Sequence, residues 1–103
     1  MLKYALFARL EAKPGKENAV AEFLAAGLAL ANQEHTTPLW FALRLSPSTF
    51  AIFDAFADQA GRDAHLQGPI AQALMAKADE LLAVPPTIEA MEVLGVKQTA
   101  PTP

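Results

Sequence analysis

The chain has 103 residues, a formal net charge of −3 and no cysteine, and hydrophobic residues make up 52% of it. This length fits one domain, and the lack of cysteine excludes disulfides, zinc–thiolate sites and thiol nucleophiles. No basic cluster favours nucleic acid or an anionic membrane as a partner, and no apolar run is long enough for a membrane span. We therefore expect a cytoplasmic protein with a single domain over residues 1–97 and a flexible tail over residues 98–103.

The first part of the chain predicts a strand followed by a helix. Residues 2–12 alternate with period two, and both faces of the predicted strand carry apolar side chains. Pro14 and Gly15 then predict a turn. A helix follows, and its buried face is predicted from positions spaced three and four residues apart: Val20, Phe23, Leu24, Gly27, Leu28 and Ala31.

The second part predicts a hairpin, two short helices and a last strand. Residues 39–45 and 49–56 read as strands joined by a tight "SPS" turn. Asp58 is a predicted N-cap for a helix that reaches His65, and Pro69 suits the first turn of another helix. The inner face of that helix is predicted as Ile70, Ala73, Leu74, Ala78 and Leu81. Residues 87–97 complete the pattern as a fourth strand.

The order of these elements predicts the fold class. It is β-α-β-β-α-β, the order of an α+β, ferredoxin-like domain with helices on one face of an antiparallel sheet. Because both strand faces are apolar, the face without helices needs a partner of its own. We therefore expect a homodimer in which two sheets face each other as a dimeric α+β barrel.

His65 is the first candidate for a functional residue. A histidine titrates near neutral pH, so it could serve as a general base or a hydrogen-bond donor. The alternative is a histidine at a helix end that bonds a backbone carbonyl, and the spacing alone favours this alternative. No phosphate loop, nucleophile motif or cluster of metal ligands is present in the sequence, so no metal site is predicted.

Asp54 is the second candidate, since an acid is unusual within the apolar strand "FAIFDAFA". It could orient His65 or a substrate hydroxyl. Alternatively, it is solvated at a sheet edge or pairs with Arg44 across the hairpin. The aromatic side chains, Trp40 among them, either wall a pocket for a flat ligand or serve only as core and interface.

The chain resembles the antibiotic biosynthesis monooxygenase family over residues 2–97. The resemblance rests on "EAKPGKE" before the first helix and on the run of Asp54, Phe56 and Asp58, with His65 seven residues further on and then "LQGPI". The family more often has glutamate and tryptophan in place of Asp54 and Phe56. It also commonly has tyrosine where this chain has Trp40, and "EPG" where this chain reads "EHT".

The resemblance implies a cofactor-independent monooxygenase that acts on an electron-rich aromatic, such as a quinol or polyphenol, with molecular oxygen. The heme-degrading branch of the family fits poorly, because the residues it requires are missing at Ala8, His65 and Met75. Two alternatives stay open: an isomerase or tautomerase of a small hydroxy-carbonyl compound, and a ligand-binding or stress-associated dimer without turnover.

The resemblance also implies roles for six residues and places His65 in a pocket. His65 and Asp54 are the expected catalytic pair, with His65 as the base or hydrogen-bond donor. The expected substrate-binding residues are Trp40, Tyr4, Arg44 and Phe56.

Overall fold

The computed structural model describes residues 1–98, so the predicted tail over residues 98–103 lies outside the description apart from Gln98. The elements are β1 (Tyr4–Glu11), α1 (Glu17–Ala31), β2 (Leu39–Arg44), β3 (Thr49–Phe56), α2 (Gln59–Leu66), α3 (Pro69–Leu81) and β4 (Thr87–Glu92). This order confirms the predicted βαββαβ arrangement, with its second helical unit divided into α2 and α3. No helix in the described part of the chain is long and apolar enough to cross a membrane.

The four strands form one antiparallel sheet in the order β2-β3-β1-β4. This is the strand order of a ferredoxin-like domain. The two central strands pair along their full length, with Tyr4 opposite Phe56 and Glu11 opposite Thr49. The hairpin is also as predicted, and its register sets Trp40 of β2 opposite Asp54 of β3.

One face of the sheet is covered by α1 and α3. The central strands contribute buried side chains of alternate residues to this face, as a period of two requires. The helices contribute apolar residues at spacings of three and four, including the predicted inner face of α3. The largest buried cluster comprises Ala8, Leu10, Ala12, Val20, Leu24, Phe50, Ile52, Leu74, Ala78, Leu81 and Leu82.

The other face of the sheet has no covering element within residues 1–98, and we call it the open face. Phe7, Phe53 and Phe41 lie next to one another in the register of β1, β3 and β2, and the rings of Phe41 and Phe53 are 6.2 Å apart. Phe41 is 47% exposed and Leu43 is 39% exposed. The open face therefore presents a row of large apolar side chains to its surroundings.

Two predictions about element ends and faces are wrong. The fourth strand ends at Glu92 and not at residue 97, because its only neighbour, β1, begins at Tyr4 directly opposite Glu92. Leu28 was assigned to the buried face of α1 but is 50% exposed. It lies at the margin of the apolar stripe, roughly 80° around the helix from Val20 at 3.6 residues per turn.

The turn before α1 has the predicted local structure. Gly15 has a φ angle of 86°, in the left-handed region where a residue without Cβ is favoured. Glu17 then lies in the first turn of α1, where a negative charge is favoured by the helix dipole.

Candidate functional site

The short helix α2 brings a histidine over one end of the sheet. Asp58 caps the helix, its side chain accepting a hydrogen bond of 2.8 Å from the backbone N–H of Gly61, which confirms the predicted N-cap. Near the other end of α2, the His65 side chain is only 7% exposed and its ring lies 5.4 Å from the ring of Phe56. The helix thus places a polar ring inside the domain.

Both nitrogens of His65 contact carboxylates. Nε2 lies 2.8 Å from Oδ2 of Asp54, and Nδ1 lies 2.6 Å from Oε1 of Glu34. The hydroxyl of Thr37 donates a further hydrogen bond of 2.9 Å to the same Glu34 oxygen. We call Glu34, His65 and Asp54 the carboxylate–histidine cluster. The ring of His65 therefore bonds carboxylates, and not a backbone carbonyl as in the alternative considered from the sequence.

The cluster favours a charged histidine. Burial alone would lower the pKa of His65, but the hydrogen bonds and charges of Asp54 and Glu34 outweigh it and raise the pKa above its ordinary value. An imidazole with a carboxylate at each nitrogen bonds both of them only when both nitrogens carry protons. With both nitrogens protonated, His65 is an imidazolium that donates to both acids, and neither nitrogen is free to accept a proton.

His65 accounts for the burial of two acidic side chains inside the domain. Asp54 is 2% exposed, so it is not the solvated edge residue considered from the sequence, and it pairs with His65 and not with Arg44. An ionised carboxylate without a partner is costly to bury, and His65 supplies one positive charge between two such groups. The cluster therefore carries net negative charge when both carboxylates are ionised.

Three buried polar atoms in this region have no hydrogen-bond partner among the described residues. They are Oδ1 of Asp54, Oε2 of Glu34 and Nε1 of Trp40. Most buried polar atoms in proteins are paired, so such atoms in one place call for an explanation. Two of the three belong to cross-strand neighbours, Trp40 and Asp54.

An apolar pocket of about 90 Å³ lies between α1, α3 and the sheet. Trp40 forms part of its wall. A Cβ atom at Gly27 would stand 3.3 Å from Cη2 of Trp40, so glycine at this position of α1 allows the indole to lie close to the helix. The complete lining is Phe23, Leu24, Ala26, Gly27, Leu30, Trp40, Ile52, Ile70 and Ala73.

Known structures resemble the whole chain. A crystal structure of a protein of unknown function from Nitrosomonas europaea is 61% identical, with 98% of each chain covered and a TM-score of 0.94. A "putative antibiotic biosynthesis monooxygenase" from the same organism is 16% identical, with 89% of this chain and 90% of that chain covered and a TM-score of 0.79. One of the same description from Deinococcus radiodurans is 19% identical, with 95% and 99% covered and a TM-score of 0.76.

The chain belongs to a family with the antibiotic biosynthesis monooxygenase fold. The 61% identical relative shows the family, and the more distant structures show the fold. No protein-family model matches the sequence, and no curated protein matches it. The fold predicted from the resemblance is confirmed.

Within this antibiotic biosynthesis monooxygenase fold, the predicted site residues fall into two groups. Asp54, His65 and Phe56 meet at the cluster, and Trp40 lies beside it in the sheet. Tyr4 is the cross-strand neighbour of Phe56, and its ring lies 5.3 Å from the guanidinium carbon of Arg62.

Arg44 is not brought to the cluster. It lies at the other end of the hairpin, opposite Phe50. Its guanidinium carbon is 4.8 Å from the centre of the Phe50 ring, and Nη2 donates to the backbone oxygen of Pro47. Four residues of strand, roughly 13 Å, separate Arg44 from Trp40.

The sequence analysis gave no role to two residues of the site, Glu34 and Thr37. Both lie in the polar connection after α1, which read as an ordinary loop, and Glu34 is 31 positions from His65. The local signal was the spacing of three between an acid and a threonine, which allows their hydrogen bond. Nothing local to that loop points to the histidine.

Among residues 1–98, no three His, Cys, Asp or Glu side chains are placed to hold a metal ion together. In the carboxylate–histidine cluster, each ring nitrogen is already engaged with an acid. What the arrangement offers chemically is a buried positive charge, two carboxylate oxygens without hydrogen bonds, and an indole N–H beside an apolar pocket.

Proposed function

We propose that this protein is a cofactor-independent monooxygenase that acts on a small, electron-rich aromatic of the quinol type. The observation that carries this proposal is the carboxylate–histidine cluster, whose Asp54 lies opposite Trp40 in the wall of an apolar pocket. Asp54 holds one oxygen against His65 and leaves the other without a partner. An apolar pocket with a few polar groups at one end is the usual form of a small-molecule site.

In this proposal, Asp54 takes the proton of a phenolic hydroxyl through Oδ1. His65 acts as the hydrogen-bond donor and not as the base, because its nitrogens both donate. Asp54 becomes neutral as it accepts the proton, and the positive charge of His65 stabilises the substrate anion that forms nearby. His65 and Asp54 thus remain the proposed catalytic pair, with Asp54 as the base and His65 as the hydrogen-bond donor.

The substrate supplies all the electrons. The deprotonated ring passes an electron to O2, and the resulting pair combines to form a C–O bond at a ring carbon. The O–O bond of this peroxide then breaks as the carbon loses its hydrogen. One oxygen atom stays on the ring, the other leaves as water, and the substrate gives up four electrons in total to become a hydroxyquinone. The apolar lining protects the anion and the peroxide from water.

Oxygen uptake tests this function. We expect the wild-type protein to consume one O2 per quinol oxidised, and Asp54→Asn to lose about 10²- to 10⁴-fold in kcat, the usual contribution of a general base. His35→Gln, which changes the other histidine, exposed in a loop, serves as the matched control and should keep the wild-type rate.

Other outcomes separate the alternatives. Turnover of a hydroxy-carbonyl compound without oxygen would replace the oxygenase with an isomerase. Binding of aromatics with no turnover of any quinol would leave a ligand-binding protein. Full activity in Asp54→Asn would remove the base assigned here.

We also propose that the protein is a two-fold homodimer joined through the open face. The apolar row containing Phe7, Phe41 and Phe53 has no cover in the described part of the chain, and exposed apolar patches of this kind favour association. A sheet face repeated on a second copy is self-complementary, as a two-fold interface requires.

A further inference from the structure

A hydrogen-bond donor and an acceptor lie side by side in the sheet, next to the pocket wall that Trp40 forms. Nε1 of Trp40 can only donate, and Oδ1 of an ionised Asp54 can only accept. The two residues are opposite each other on β2 and β3, so their Cβ atoms are roughly 5 Å apart. Both atoms are buried, and neither has a partner in residues 1–98.

The indole that carries this donor forms part of the pocket wall. Trp40 belongs to the pocket wall, and the ring edge that faces Gly27 carries Cη2 and Cζ2. Cζ2 is bonded to the ring carbon that carries Nε1, so the N–H lies on the same side of the indole as that edge. Since buried polar atoms without partners destabilise a fold, a donor and acceptor kept together here suit a ligand that satisfies both.

The size of the pocket limits the ligand to one ring. Its volume of about 90 Å³ is below the roughly 150 Å³ of an engineered cavity that binds benzene. A single ring therefore requires lining side chains such as Leu30 and Ile70 to move outward. A fused-ring compound would require the helices to separate.

We propose that the pocket recognises a single-ring aromatic with two neighbouring hydroxyl groups, a catechol. One hydroxyl donates to Oδ1 of Asp54, and the adjacent oxygen accepts from Nε1 of Trp40. A ring with hydroxyls on opposite sides presents only one oxygen at this end of the pocket. This substrate class rests on the proposed function, because the hydroxyl that meets Asp54 is the one that loses its proton before the ring reacts with O2.

The three dihydroxybenzenes test this recognition, since they differ only in the positions of the same two groups. Trp40 is the only tryptophan of the chain, so its fluorescence reports binding in the pocket directly. With oxygen removed, we expect catechol to bind about tenfold more tightly than resorcinol or hydroquinone, as one additional hydrogen bond contributes.

Two variants sharpen the experiment. Trp40→Phe keeps an aromatic wall but removes the donor, so calorimetry should show catechol binding no better than hydroquinone. Ile52→Val trims the apolar lining and should weaken all three isomers alike, with the preference for catechol kept.

Equal affinities for the three isomers, or no binding by any of them, would overturn this inference. Equal affinities together with quinol-dependent oxygen uptake would remove the catechol preference and keep the oxygenase. Tight catechol binding without oxygen uptake would support the recognition of catechol but contradict the proposed monooxygenase activity.

Discussion

Asp54 and Glu34 lose most of their contact with water in this fold, and hydrogen bonds to His65 take the place of hydrogen bonds to water. The distances of 2.8 and 2.6 Å from the nitrogens of His65 are those of charge-assisted hydrogen bonds. A positive ring between two acids has a consequence for stability. The folded protein holds the proton of His65 more tightly than the unfolded chain does, because the unfolded chain has no such partners.

This linkage predicts a loss of stability as the pH rises above the unfolded pKa of His65. The folded pKa of His65 is raised, so its contribution is complete below the unfolded value of about 6.5 and disappears as the pH rises through the folded value. Over that window, the free energy of unfolding should fall with a slope of up to about 1.4 kcal/mol per pH unit. Urea unfolding at a series of pH values measures the slope.

The two histidines provide the control for this measurement. His35→Gln should keep the slope, since His35 is exposed. His65→Gln should be less stable throughout, because the acids then lie buried without a positive charge between them, and should lose the slope that begins at the unfolded pKa of about 6.5. A wild-type profile that stays flat as the pH rises from this value would contradict the raised pKa of His65.

At the residue scale, the sequence singled out two members of the carboxylate–histidine cluster but not the protonation of the ring. An acid within an apolar strand and a histidine at a helix end were both recognisable, and they contact each other. The protonation of the ring was not predictable, because it depends on Glu34, whose proximity to His65 arises only from the tertiary fold.

Among the elements, α2 is the one on which the site depends most directly. It has only eight residues, so little of its stability comes from its own hydrogen bonds. Asp58 supplies the N-cap, with its carboxylate on the N–H of Gly61. Loss of this cap should therefore weaken the helix that holds His65.

Replacement of the cap tests this dependence. Asp58→Ala should lower the free energy of unfolding by about 1 kcal/mol, whereas Asp58→Asn should remain close to the wild type, since asparagine is an equally good cap. Thermal or urea unfolding of the three proteins measures the difference. Equal stability of all three would show that tertiary contacts and not the cap hold α2 in place.

The elements themselves were largely predictable, and the exceptions have geometric causes. Alternation and helical spacing are local properties, so β3 and the inner face of α3 followed directly from the sequence. The end of β4 depends on where its partner β1 begins, and the exposure of Leu28 depends on how wide a stripe the sheet covers. Neither of these is encoded in the segment concerned.

For the whole molecule, the open face is the feature that the single chain leaves unexplained. The helices bury one face of the sheet, while Phe41 and Leu43 remain 47% and 39% exposed on the other. The high apolar fraction of the sequence predicted such a surface. If the open faces of two copies packed together, the apolar row of each copy would be buried against the other.

A charge placed on the open face should therefore prevent association. We expect the wild-type protein to sediment as a species of twice the 11.0 kDa chain mass, and Phe41→Glu to sediment as a monomer, because pairing would bury two carboxylates against apolar side chains. Leu28→Glu is the matched control: Leu28 is equally exposed, at 50%, but lies on α1, on the opposite side of the sheet, so this variant should remain a dimer. A wild-type monomer at micromolar concentration, or dissociation by both substitutions alike, would contradict an interface on the open face.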